Sequence, residues 1–210
     1  MVAAGAIDDD PAQRALAVRL DDLAAALRTD KRPGLFARLT RRKPEAPKGL
    51  YIYGDVGRGK TMLMDAFFAA APMAAKRRVH FDAFMGEMQD RIHAARTGHA
   101  GDPIAPVAAE VAAQTRLLCL DEFAVTDIAD AMILSRLFAA LFAAGLVLVA
   151  TSNTPPDELY RDGLNRSLFL PFLDVLRRQL PLELAHLREG PFEVGDEFAA
   201  HEPLLAGIDR

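Results

Sequence analysis

Apolar positions recur along this chain in two rhythms. In residues 11–28, Leu16, Leu20, Leu23 and Leu27 fall at spacings of four, three and four with charged residues between them, one stripe of an α-helix, which predicts a docking helix. From Gly49 onward, short apolar runs alternate with helical stretches. The runs predict strands over Gly49–Tyr53, Arg78–Asp82, Arg116–Leu120, Leu146–Thr151 and Leu180–Ala185, and the stretches between them predict helices near 59–71, 84–96, 127–144 and 156–178. Strands separated by helices of this length require right-handed crossovers, so the expected class is α/β, a parallel sheet of about five strands with helices on both faces. Gly101, Pro103 and Pro106 predict a loop over 99–106. In the helix that follows the third strand, Ile128, Met132, Leu134, Leu137, Phe138, Leu141 and Phe142 make a core face. Thr126 is the expected cap of that helix, with Asp127 and Asp130 beside its positive end.

Composition divides the chain into an N-terminal helix and basic linker (1–48), a core (49–188) and a tail without helical periodicity (189–210). Between Arg28 and Lys48 stand eight basic residues against two acidic ones, broken by Pro33, Pro44 and Pro47, which reads as a solvated linker or as a contact for a phosphate-bearing or acidic partner. The whole chain, however, carries 25 Lys+Arg against 29 Asp+Glu, a formal charge of -4, which withdraws the electrostatic argument for non-specific binding to nucleic acid or anionic membranes. With 210 residues, 51% of them hydrophobic, it can bury a real core. Cys119 is a lone cysteine, with no disulfide partner and no zinc-ligand spacing, and it reads as a small buried strand residue suited to a reducing cytoplasm. The longest apolar run, Leu137 to Ala150, is interrupted by Gly145 and falls short of the roughly 20 residues that cross a bilayer. Asp8, Asp9 and Asp10 are the opposite of a basic export leader.

The chemistry concentrates where strands end. Gly54-Asp55-Val56-Gly57-Arg58-Gly59-Lys60-Thr61 satisfies G-x-x-x-x-G-K-[ST] between an apolar strand and a helical run. In such a loop the backbone N–H groups and the helix dipole meet phosphate oxygens, Lys60 reaches the β- and γ-phosphates, and the Thr61 hydroxyl meets magnesium. Leu117-Leu118-Cys119-Leu120 ends in Asp121-Glu122, at the rim where open α/β sheets bind nucleotides, and this suits Asp121 to magnesium and Glu122 to polarising an attacking water. The next strand runs into Asn153, which either orients that water or serves ordinary turn chemistry. Arg161 and Arg166 flank Gly163, and either is placed to act as an arginine finger in a neighbouring subunit. His80 reads as a core or rim residue of its strand.

The segments Tyr51 to Asp65, Val79 to Met85, Leu118 to Met132 and Ala150 to Tyr160 together resemble the ZapE family of AAA+ ATPases, over roughly residues 10–180. Asp-Glu-Phe-Ala-Val-Thr-Asp-Ile-Ala-Asp, residues 121–130, is the most specific part of the resemblance. The resemblance implies an ATP- and magnesium-dependent ATPase of bacterial cell division that associates with the division-ring protein FtsZ and is peripheral to the membrane at most. It also implies mitochondrial relatives of the lactation-elevated type. By position, Gly54 to Thr61 match the family's Walker A, Asp121 and Glu122 its Walker B and Asn153 its sensor-1. Arg166 matches the arginine of its Gly-Leu-x-Arg-x-x-Phe-Leu-Pro segment, which favours Arg166 over Arg161 as the finger of a homo-oligomer. Members continue into a helical lid, so the chain is expected to be C-terminally truncated, with the lid largely absent and no assignable sensor-2 arginine. The alternatives in view are a P-loop kinase and an ATP-dependent binding adaptor with little turnover.

Overall fold

Runs such as Leu117–Asp121 and Val147–Ser152 are buried at every position because both of their faces are covered, which only an interior strand of a doubly covered sheet allows. In the computed structural model, which describes residues 11–29, 46–54, 59–98 and 101–184, five parallel strands form that sheet. They are β1 (Leu50–Tyr53), β2 (Lys76–His80), β3 (Leu117–Asp121), β4 (Val147–Ser152) and β5 (Leu182–Leu184), in the order β2-β3-β4-β1-β5. The alternation of side chains divides the core in two. Leu117, Cys119, Val147, Val149, Leu50 and Ile52 pack with α1 (Pro11–Thr29) and α2 (Gly59–Ala70). Leu118, Leu120, Leu148, Ala150 and Tyr51 pack with α3 (Phe81–Gly98), α4 (Ile104–Gln114), α5 (Ile128–Ala143) and α6 (Leu170–Gln179). The expected parallel sheet with helices on both faces is therefore the observed one. The leucine stripe of α1, Leu16, Leu20, Leu23 and Leu27, is buried against this same core, each side chain worth about 2 kcal/mol of apolar transfer.

Four local expectations need correction. A helix, α4, begins at Ile104 inside the expected loop: a first helical turn has no use for its N–H groups, so Pro103 and Pro106 are tolerated there, and Asp102 accepts from the Ile104 N–H at 3.2 Å. The stretch 156–178 is not one helix but two short 3-10 turns, Pro156–Glu158 and Arg166–Leu168, followed by α6. Tyr160 and Asn165, at φ 52° and 57°, leave helical space between them. The cap of α5 is Asp127 rather than Thr126, its carboxylate accepting from the Ala129 N–H. β2 starts two residues earlier than expected and ends at His80, with α3 beginning at once.

Ala185, most of the basic stretch and the tail 189–210 lie outside the described residues. Among the described residues no helix is long and apolar enough to cross a membrane.

Candidate active site

The chain leaves β1 for the far edge of the sheet at β2, then returns through β3 and β4 to lie beside β1 again. That reversal opens a crevice at the carboxyl ends of β1, β4 and β3, the place where open α/β sheets take their ligands. α2 follows β1, and its first turn carries Lys60 and Thr61 into the crevice. Lys60 is 4% exposed, its ammonium donating to the Gly54 carbonyl at 2.9 Å. Asp55, Val56, Gly57 and Arg58 lie outside the described residues, while Gly54 and Gly59 bracket them at the end of β1 and the start of α2.

Thr61 Oγ1 donates to Asp121 Oδ1 at 3.2 Å, joining two residues sixty apart in the chain. Asp121 closes β3 with its side chain 3% exposed and held by four donors. Thr151 Oγ1 also donates to Oδ1, as does the Glu122 N–H at 3.2 Å, and Arg78 Nη2 donates to Oδ2 at 2.9 Å. Arg78 in turn pairs with Asp65 on α2. This placement follows from strand parity: Arg78 registers with Cys119, Leu117 with Val147 and Leu50 with Val149, so Arg78, Cys119, Asp121 and Thr151 all face α2.

Glu122 departs from that alternation. Its φ of 55° lies in the left-handed region, and its side chain emerges on the rim, 78% exposed, with its Oε2 3.7 Å from His80 Nδ1. The residues around it are tied across to β4: the Phe123 N–H donates to the Thr151 carbonyl at 2.7 Å, and Ser152 Oγ donates to the Phe123 carbonyl at 2.7 Å. Ser152 Oγ also accepts from the Thr154 N–H at 3.0 Å, and the Tyr51 hydroxyl donates to the Thr154 carbonyl at 2.9 Å, which holds the turn bearing the exposed Asn153. Burial pushes the Tyr51 phenol well above its ordinary range, so it stays a neutral donor.

The structure thus brings Lys60, Thr61 and Asp121 together, with Glu122 and Asn153 on adjoining strand ends. Arg166 has another partner: its Nη2 donates to the Asp157 carbonyl at 2.6 Å, and its Nη1 is buried without a hydrogen-bond partner. Arg161 is exposed beside Glu158 at 3.6 Å. Sequence reasoning did not pick out Arg78, Asp65 or Thr151, and His80 sits nearer the chemistry than a rim residue need be. The donor set fits magnesium. One buried carboxylate and one hydroxyl are hard oxygens, the ligand type that magnesium takes.

Against known proteins, the family model described as AFG1-like ATPase matches residues 2–183. Lactation elevated protein 1 homolog B of Danio rerio is 48% identical over 174 residues, 79% of this chain and 33% of that protein. Cell division protein ZapE of Escherichia coli K12 is 51% identical over 133 residues, 62% of this chain and 34% of that protein. The chain therefore spans about a third of the length of the curated relatives it matches. Among solved structures, DnaI aligns with a TM-score of 0.55 at 17% identity, over 85% of this chain and 87% of that one. The DnaC helicase loader aligns with 0.55 at 16%, over 84% and 91%. At such identities these two establish the fold.

Proposed function

This chain belongs to the AFG1-like ATPase family, and from that premise we propose that it binds ATP at the Lys60–Thr61–Asp121 crevice and hydrolyses it with magnesium. The observation that carries the proposal is the convergence of three parts: a buried lysine in the first turn of α2, a hydroxyl on a buried strand-end carboxylate, and a second carboxylate turned out onto the same rim. Thr61 and Asp121 would hold the magnesium, which supplies charge neutralisation at the β- and γ-phosphates. Lys60 exchanges the Gly54 carbonyl for phosphate oxygens, while the start of α2 presents its N–H groups. Glu122 orients a water toward the γ-phosphorus and takes its proton as the bond from phosphorus to the ADP oxygen breaks. Asn153, on the next strand end, fixes that water through its amide.

Arg166 acts across a subunit boundary in this reading, stabilising charge on the transferred phosphoryl. Leu164, Leu168 and Leu170, exposed at 69%, 54% and 46%, bracket it with apolar surface that a second copy of the chain covers. The similarity to a cell division protein supports a role in bacterial division; we further propose that it acts in the cytoplasm or peripheral to the membrane, with FtsZ or another division protein as partner.

The test is phosphate release from ATP with no added acceptor, by the wild-type chain, Lys60→Ala and Glu122→Gln. Lys60→Ala is expected to weaken nucleotide binding at least roughly tenfold, and Glu122→Gln to hold ATP while releasing phosphate slowly. Binding without release favours the adaptor, and release only with an acceptor favours a kinase. Wild-type release by Glu122→Gln removes Glu122 from the mechanism.

A further inference from the structure

Asp121 Oδ1 already accepts from three donors, Thr61, Thr151 and the Glu122 N–H, which exhausts its two lone-pair directions, while Oδ2 accepts from Arg78. A cation that meets this carboxylate directly must displace a donor from Oδ1 or share Oδ2 with Arg78. The Thr151 and Glu122 donors belong to the sheet and its continuation, and Thr61 is itself part of the cation-binding pair. Arg78 is the donor with somewhere else to go, because its guanidinium also pairs with Asp65, one turn along α2 from Thr61 and half exposed. It is also the group most at odds with an incoming divalent cation. A guanidinium and a magnesium ion against one 3%-exposed carboxylate repel each other in a poorly screened place.

We propose that Arg78 is a positioning residue of the cation site: it holds and neutralises Asp121 while no divalent cation is bound, and shifts its pairing toward Asp65 when magnesium and nucleotide enter. This rests on the nucleotide-site reading above and adds to it a built-in threshold for magnesium. Two substitutions should move that threshold in opposite directions. Arg78→Gln removes the competing charge and so lowers the magnesium needed. Asp65→Asn removes the alternative anchor and leaves the guanidinium to Asp121 alone, raising the magnesium needed.

The experiment measures binding, not turnover. A fluorescent, non-hydrolysable ATP analogue is bound to the whole chain while magnesium is titrated from an EDTA baseline, and each protein is also melted in EDTA without nucleotide. Arg78→Gln is expected to lower the half-saturating magnesium roughly five- to tenfold and to melt earlier in EDTA. Asp65→Asn is expected to raise the half-saturating magnesium severalfold, and Arg78→Lys, which keeps the charge, to stay near wild type. Arg77→Gln controls for net charge: Arg77 lies on the other face of β2, paired with Glu87, and its loss should leave the threshold unmoved. An unchanged or raised threshold in Arg78→Gln, a lowered one in Asp65→Asn, or an equal drop in Arg77→Gln overturns the proposal. If Arg78→Gln does not fold, the direction of Asp65→Asn decides. A wild-type chain that binds no analogue at any magnesium concentration overturns the nucleotide-site reading itself, and this proposal with it.

Discussion

Thr151→Val isolates one hydroxyl in the site. Valine keeps the branched shape that suits the buried end of β4, and only the hydroxyl is lost, with its donation to Asp121 Oδ1 and its acceptance of the Glu122 N–H at 3.3 Å. A hydrogen bond to a buried charged group contributes about 1.5–3 kcal/mol, and strand propensity returns a few tenths. Asp121 still has Thr61, Arg78 and the Glu122 N–H, and that N–H keeps its bond to Oδ1, so no buried group is orphaned and the low end applies. The expected loss is about 1.5 kcal/mol. For a chain of this size that is a fall in Tm of about 4 °C, or about 0.7 M in the urea midpoint at a slope near 2 kcal/mol/M. Thr151→Ser, which keeps the hydroxyl and deletes a buried methyl, loses about 1 kcal/mol, so stability alone does not separate the two variants. Nucleotide binding in magnesium does. The valine variant is expected to bind severalfold more weakly because Asp121 has lost one of its pins, and the serine variant to bind like wild type. A valine variant as stable as wild type with unchanged binding, or a serine variant that binds as poorly as valine, refutes the idea that this hydroxyl holds the carboxylate.

Three further outcomes are expected. Mixing Lys60→Ala chains with Arg166→Ala chains, each inactive alone, should restore part of the phosphate release, because one supplies the arginine and the other an intact phosphate loop; no recovery means that Arg166 works within its own chain or only packs. Gly49→Ala should cost about 3 kcal/mol or more by chemical denaturation, since an added Cβ would stand 1.7 Å from the Leu148 carbonyl oxygen and 2.7 Å from Leu180 Cδ2. Cys119, its thiol pushed up to about 12 by burial, should resist thiol reagents in the folded chain at pH 8 and react as the chain unfolds in urea; prompt native-state labelling would contradict its place between β3 and α2.

What could be read from the sequence followed how local each signal was. Lys60 and Thr61 belong to a contiguous motif, and Asp121 closes an apolar run that both sheet faces force to be continuous, so all three were legible. The α4 helix was missed: Ile104, Val107, Ala108, Val111 and Ala112 fall at helical spacing and are all buried, but Pro103 and Pro106 carry a loop signal that is misleading in a first turn. β2 was misplaced because Lys76, Arg77 and Arg78 do not look like a strand. As an edge strand with its polar side chains paired, it needs no apolar run: Lys76 donates to carbonyls at the end of α2, and Arg77 pairs with Glu87. Arg78 and Thr151 meet Asp121 across chain separations of 43 and 30 residues, through a register that exists only once β2, β3 and β4 align. No window of sequence contains that contact.

Asp121 and Glu122 take opposite environments although they are neighbours, one buried and the other on the rim, and the separation rests on the residue that follows them. A strand continued at Glu122 would turn its side chain toward α3 and α5, among the apolar partners of Leu118 and Leu120. The left-handed turn at Glu122 instead carries the carboxylate to the rim, at a cost of about 1–2 kcal/mol for a residue other than glycine. Phe123 holds that turn in place. Its ring is buried, stacked on Phe172 at 6.0 Å and tilted against Phe81 at 4.4 Å, while its N–H and carbonyl are tied to Thr151 and Ser152. The aromatic core thus offsets the strain that separates a buried carboxylate on the α2 side from an exposed one on the rim.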